Sequence, residues 1–195
     1  MANPETAKWD AHYQSGKHDQ KQAVRVLRDY AHLLPTSGDA LDLACGTGAN
    51  ALYLANKGMR VSAWDISAQA LAILEGRCNR DSLQIEMQQR DVVQSPPLKN
   101  SFDVIVVSYF LDRGLIPDII NALRPGGLLF YQTFTRAKVE DYGPRNPDYR
   151  LAQNELLDLC HDLQLLIYHE ENCVGDCNQG FRNEAYLVGL RKPGS

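Results

Sequence analysis

Seven short runs of strand-like pattern, most of them separated by stretches of helical period, leave this chain few ways to fold. The runs cover residues 40–44, 60–64, 83–89, 102–107, 128–133, 165–171 and 181–190. Between them, apolar side chains recur at three- and four-residue spacing over 21–34 (Val24, Leu27, Ala31, Leu34), 49–57, 67–78, 116–123 and 154–163, the mark of amphipathic helices. Val104, Ile105, Val106 and Val107 are apolar in succession, as in a strand covered on both faces. Alternation of this kind predicts an α/β fold: a doubly wound, mostly parallel seven-stranded sheet with helices on both faces, Rossmann-like in plan. No helix separates the last two runs, so the last strand is expected to be antiparallel. Arg124-Pro125-Gly126-Gly127 predicts a turn just before the fifth strand.

Composition narrows the class further. A chain of 195 residues with net charge −4 is the size of one domain and lacks the concentrated positive field a sequence-independent nucleic-acid binder needs. No run of about 18 apolar residues is present, so no membrane span is expected. The five cysteines are odd in number and lie mostly in apolar patterns, which suits reduced thiols and a cytoplasmic setting. The polar stretch 1–20 is read as an N-terminal arm and 21–195 as the main domain, with 135–149 the least regular part. Oligomeric state leaves no trace in the sequence.

In an open parallel sheet the ligand crevice lies beyond the carboxyl ends of the central strands. The turn after the first strand runs Asp42-Leu43-Ala44-Cys45-Gly46-Thr47-Gly48. Gly46 and Gly48 remove side chains where the backbone must turn sharply and a ligand must approach it. Asp65 ends the second strand, 19 positions beyond Gly46, as a ribose-binding acid would. A dinucleotide site has the same layout, but Asp42 beside the turn would repel a pyrophosphate and attract a ligand carrying ammonium and sulfonium charge.

These residues resemble the first motif of class I S-adenosylmethionine-dependent methyltransferases, including small tellurite-resistance-type (TehB-like) members. The resemblance continues in family order. Asp65 with Ile66 matches the ribose-binding acid, Asp91 and Val92 the pair that receives the adenine, and the segment through Ser108 the fourth motif. Trp9 and Tyr13 resemble the W-x-x-x-Y entry segment of small-molecule members, where an aromatic ring over a sulfonium gains cation-π attraction. What the resemblance implies is an arm closing over S-adenosyl-L-methionine held by Trp9, Tyr13, Asp42, Ala44, Cys45, Gly46, Thr47, Gly48, Asp65, Ile66, Asp91, Val92 and Ser108.

Ser108-Tyr109-Phe110-Leu111 stands where members that methylate an amide or exocyclic amine usually carry N/D-P-P-Y/F, and no Pro-Cys dipeptide offers the nucleophile used on cytosine carbon. A small-molecule acceptor attacked in line is therefore expected, of the soft kind: a thiol, or a selenium or tellurium oxyanion. Tyr109, Arg113 and Arg182 are the expected catalytic residues, with Thr133, Phe134, Tyr142, Arg145, Tyr149 and Arg150 nearby. His169, Cys173 and Cys177 lack zinc spacing, so no metal is expected. Two competing readings are a catalytically silent S-adenosylmethionine-binding partner of another protein and an NAD(P)-dependent oxidoreductase.

Overall fold

A computed structural model describes residues 4–15 and 22–193. Residues 16–21, where the sequence puts the junction of arm and domain and the start of the first helix, lie outside the described residues. Strands β1 (Asp39–Leu43), β2 (Arg60–Asp65), β3 (Ile85–Gln89), β4 (Phe102–Ser108), β5 (Leu123–Phe134), β6 (Gln164–Glu170) and β7 (Glu184–Leu190) form one sheet in the order β3-β2-β1-β4-β5-β7-β6. The first five pair in parallel, and β7 runs antiparallel to both its neighbours. Chain order reverses between β1 and β4, which places the topological switch point, and the crevice that goes with it, above those two strands.

Alternation along each strand sends successive side chains to opposite faces. Leu54, Leu74, Val106 and Phe130 form a core under α2 (Arg25–Asp29), α3 (Ala49–Asn56) and α4 (Ala68–Asp81). Leu41, Ile105, Ile119, Leu129 and Leu156 form the second core, under α5 (Ile116–Ala122) and α6 (Glu155–Leu159). At the opposite end of the strands from the crevice, Arg60 and Arg124 bind Asp39, and Arg124 also binds Asp103, tying the starts of β1, β2 and β4.

Four elements differ from the sequence expectation. The polar arm contains a helix, α1 (Pro4–Gln14), begun by Pro4 with Glu5 in its first turn, both favoured at a helix N-terminus. It docks through Asp10 Oδ1, which accepts from Ser67 Oγ at 2.6 Å and Gln69 N at 3.3 Å at the start of α4. The helix expected over 21–34 is broken at Tyr30, whose φ of −113° separates α2 from a 3-10 turn at Ala31–Leu33. Arg124 to Gly127 do not precede β5 but form an irregular part of it, with the β4 register shifting opposite them and Arg191 pairing with Gly126 and Gly127. The helix expected over 154–163 shortens to α6 because Asn154 before it is left-handed, at φ 61°, and Cys160 after it leaves helical geometry, at φ −108°.

No helix fills the β3–β4 connection, and a groove of about 880 Å³ wraps the exposed edge of β3. Its walls include Arg60, Ser62, Glu86, Gln88 and Arg90, so it is a hydrated edge, separate from the switch-point crevice.

Gly48 shows why this packing needs a glycine. It has φ +78°, and a Cβ there would lie 2.3 Å from Leu74 Cδ1 and 2.8 Å from Leu74 Cγ in the fully buried α4 face. Gly48→Ala is expected to destabilise the protein by about 1–3 kcal/mol through overpacking and positive φ. In a thermal melt Tm falls by about 2–12 °C; an unchanged Tm would contradict the packing described.

Candidate functional site

At the crevice, two strand-end carboxylates hold the turn between β1 and α3. Leu43 gives way to Ala44 at φ 54°, Gly46 at φ 52° and Gly48 at φ 78°, three left-handed residues within five. Such a path exposes backbone N–H groups, and acids from β1 and β2 take them. Asp65 Oδ2 accepts from Gly46 N at 2.7 Å and its Oδ1 from Ser67 N at 2.8 Å, while Asp42 Oδ2 accepts from Ala51 N at 2.9 Å. Cys45 and Thr47 are buried in this turn, and Arg77 donates to the Thr47 carbonyl from α4. Burial pushes the Cys45 thiol up, aided by the Asp42 and Asp65 charges, so it is a packing residue rather than a nucleophile.

From Asp42 a line of hydrogen bonds crosses the switch point. Asn50 Nδ2 donates to Asp42 Oδ1 at 3.3 Å and to Ser108 Oγ at 2.9 Å at the end of β4, and its Oδ1 accepts from Val24 N at 2.9 Å. Two residues on, Val26 N donates to Gln132 Oε1 at 2.9 Å, and Gln132 Nε2 donates to Glu184 Oε2 at 2.7 Å. Burial, with the Glu184 charge beside it, pushes the Tyr109 phenol above its ordinary pKa. Tyr109 is another left-handed residue, φ 54°, directly after β4. Its ring stacks on Phe134 at 4.9 Å, and Phe134 meets Tyr142 edge-on at 5.3 Å. Left-handed non-glycine residues at the ends of both switch-point strands store backbone strain where the crevice lies.

The arm lies on the turn. A Cβ on Gly46 would come within 2.8 Å of the Tyr13 hydroxyl. Burial, with the Asp65, Cys45 and Asp42 charges, pushes the Tyr13 phenol above its ordinary pKa. Trp9 packs with His12 and Tyr13 at centroid distances of 5.1 and 6.3 Å. Lys8 lies 5.3 Å from the Tyr149 ring centroid, linking arm and 135–149 loop. Ile66 receives Gln89 Nε2 on its carbonyl, and Val92 is buried in the α5-side core. Asp91 caps its own turn, Oδ1 accepting from Val93 N at 3.1 Å and Gln94 N at 3.3 Å.

The arginines expected at an acceptor have other partners. Arg113 donates to both Glu155 oxygens and to the carbonyls of Asp148 and Arg150. Arg182 donates to the carbonyls of Gln179, Glu171, Asn172 and Asp176, and Arg150 to those of Pro144, Thr135 and Tyr142. These irregular loops have carbonyls without ladder partners, and guanidinium forks supply the donors. Arg113 and Arg182, expected as catalytic residues, each anchor a loop in this structure. Thr133 is fully buried on the sheet face opposite Gln132, its hydroxyl without a partner among the described residues, while Arg145 is exposed. His169 bonds Glu171 and Tyr186. Among the described residues no three His, Cys, Asp or Glu side chains are grouped to hold a metal ion, and no helix is long and apolar enough to cross a membrane.

Asn50, Gln132 and Glu184 were missed from sequence. Glu184 left one signal, an acid opening an otherwise apolar strand, and Asn50 another, an amide in the first turn of the helix after the glycine turn.

Strand order, the single reversed β7, and a glycine turn bound by acids from β1 and β2 define a class I S-adenosylmethionine-dependent methyltransferase domain. Residues 40–127 match the family described as Methyltransferase domain. "Probable S-adenosyl-L-methionine-dependent methyltransferase TehB" of Haemophilus influenzae is 31% identical over 139 residues, 67% of this chain and 47% of that protein. Cypemycin N-terminal methyltransferase of a Streptomyces species is 33% identical over 129 residues, 60% of this chain and 51% of its own length. The crystal structure of TehB from Haemophilus influenzae superposes with a TM-score of 0.70 at 27% identity, covering 92% of this chain and 66% of that one. This chain thus spans about half the length of the curated relatives it matches.

Burial raises Asp42 to about 8, although the bonds from Asn50 and Ala51 pull the other way. The unfolded carboxyl releases its proton near pH 3.9, roughly. Asp42 therefore contributes stability that is full below about pH 4 and lost as pH rises through about 8. Asparagine has no such proton, so the stability lead of wild type over Asp42→Asn is expected to shrink between about pH 5 and 8 in urea titrations. A lead that stays constant or widens would contradict the burial of a titrating Asp42.

Proposed function

We propose that this domain transfers a methyl group from S-adenosyl-L-methionine to a small-molecule acceptor. One observation carries the reading over a dinucleotide enzyme. In a dinucleotide site the turn amides point at a pyrophosphate. Here the Gly46 amide is taken by the Asp65 carboxylate, whose charge would repel a diphosphate. The donor set fits the cationic cofactor instead: Asp42 and Asp65 at two adjacent strand ends and Asp91 at a third, around a turn that is left-handed at Gly46 and Gly48.

In this reading Asp65 would hold the ribose hydroxyls, with Ile66 beside it, and Asp91 and Val92 the adenine. The turn from Ala44 to Gly48, with Asp42 and Ser108 joined through Asn50, would hold the methionine portion. The arm helix, Pro4–Gln14, would close over the cofactor, Trp9 and Tyr13 excluding water from the charged end. When bound, the cofactor supplies an electrophilic methyl. The chain's own contribution is to align acceptor and methyl, an effect worth up to roughly 7–11 kcal/mol of a barrier.

The arm and the 135–149 loop, linked through Lys8 and Tyr149, would contact the acceptor. A net charge of −4 argues against a nucleic-acid partner. Five free thiols suit a reducing cytoplasm. Relatives' names do not settle the acceptor, since one is named by its cofactor and another for an N-terminal acceptor. A selenium or tellurium oxyanion would depend on the exposed Arg145, because Arg113, Arg150 and Arg182, the other arginines that could hold an anion, are bound to the protein itself.

Thermal melts with each cofactor test the proposal. At a hundred times its dissociation constant a ligand stabilises by about 2.7 kcal/mol, so S-adenosylhomocysteine is expected to raise Tm and NADH to leave it unchanged. Asp65→Ala is expected to lose at least tenfold in S-adenosylhomocysteine affinity by calorimetry. Stabilisation by NADH alone would overturn the reading.

A further inference from the structure

The crevice contains one acid that the cofactor does not require. Glu184 opens β7 with 8% of its surface exposed, and its carboxylate accepts from the Gln132 amide at 2.7 Å, whose nitrogen also meets the Tyr109 hydroxyl at 3.5 Å. A buried carboxylate normally needs a cation beside it to offset lost hydration. Among the described residues no Lys, Arg or His forms an ion pair with it. Arg150, the guanidinium near this cluster, lies 5.5 Å from the Phe134 ring centroid and spends its donors on loop carbonyls. Around the acid stand the rings of Tyr109, Phe134 and Tyr142, and Tyr142, half exposed, sits at the solvent side.

A carboxylate with aromatic faces beside it and no protein cation is the chemistry that recognises an ammonium group. We propose that Glu184, framed by Tyr109, Phe134 and Tyr142, receives the ammonium group of an amine acceptor and takes the proton that amine must lose before methylation. The inference rests on the methyltransferase reading and names its acceptor class. Position supports it: Tyr109 follows β4 and Phe134 ends β5, and Gln132 joins Glu184 through Val26 and Val24 to Asn50, Ser108 and Asp42 at the cofactor turn. Burial also raises the Glu184 carboxyl above its ordinary pKa, toward what a base working near neutrality needs.

The step balances within the site. An R–NH3+ group gives one proton to the Glu184 carboxylate. The freed nitrogen lone pair forms the new N–C bond as the methyl leaves sulfur, whose S–C electron pair stays on sulfur. The product is a methylated ammonium, neutral S-adenosylhomocysteine and protonated Glu184, which returns its proton to water. An oxyanion acceptor would meet like charge at this acid.

Calorimetry on the full chain separates the two levels of the claim. The first titration is with S-adenosylhomocysteine, and the second, on the loaded protein, with benzyltrimethylammonium, a cation with no proton to lose. Wild type is expected to bind both. Glu184→Gln, which keeps an acceptor oxygen for Gln132, is expected to bind S-adenosylhomocysteine within about threefold of wild type but the cation at least tenfold more weakly. Tyr142→Leu, at a half-exposed position, should weaken the cation about threefold without moving Tm and serves if Glu184→Gln fails to fold. With S-adenosylmethionine, benzylamine methylation should fall at least tenfold in Glu184→Gln. If S-adenosylhomocysteine binds and the cation does not, or both variants bind the cation as wild type does, the amine assignment is overturned alone. If S-adenosylhomocysteine itself fails to bind, the methyltransferase reading falls with it.

Discussion

Two carboxylates, each from the end of a neighbouring strand, hold the turn on which the site depends. Asp65 on β2 binds the Gly46 amide and Asp42 on β1 binds the Ala51 amide, so the path through three left-handed residues is fixed at both ends. Without them, orphaned N–H groups at the start of α3 would sit in a buried corner, at a cost of about 1–3 kcal/mol each. In the proposed reading, a cationic ligand in the crevice would favour the charged form of both acids, which burial alone disfavours. Holding the turn and receiving such a ligand would then be one arrangement.

The acceptor side is bound to this turn by side-chain amides rather than by packing alone. Asn50 spans Asp42, Ser108 and Val24, and Gln132 spans Val26, Glu184 and Tyr109, so α2 stitches β4, β5 and β7 to the cofactor end of the sheet. Each amide uses its donor and acceptor ends in opposite directions, which fixes its orientation and, through it, the spacing between the two halves of the crevice. Arg113, Arg150 and Arg182 do similar work farther out, holding three irregular loops by their carbonyls.

The parts legible in the sequence are those written in local pattern. The apolar runs, the Gly46–Gly48 turn and the acid at the end of β2 are each set by neighbours a few residues away, and the methyltransferase fold follows from their order. The parts that were not legible are set by distant partners. Arg113 looks like a free cation until Glu155, 42 residues on, takes its fork. Gln132 reads as an ordinary strand residue until Val26, 106 residues earlier, meets it. Glu184 was passed over for the same reason, since its partner Gln132 lies on another strand. The α1 helix was hidden differently: its Pro4 and Glu5 start signals were present, but it buries no full stripe to give a helical period.

Amide hydrogen exchange with and without S-adenosylhomocysteine tests the central claim, that the ligand seats on the acid-held turn beneath the arm. The account predicts slowed exchange in 44–51, in 65–68 and in the 4–14 helix, with the β3 edge groove around Glu86 and Gln88 unchanged. Protection confined to that groove, with the turn and arm unaffected, would contradict it.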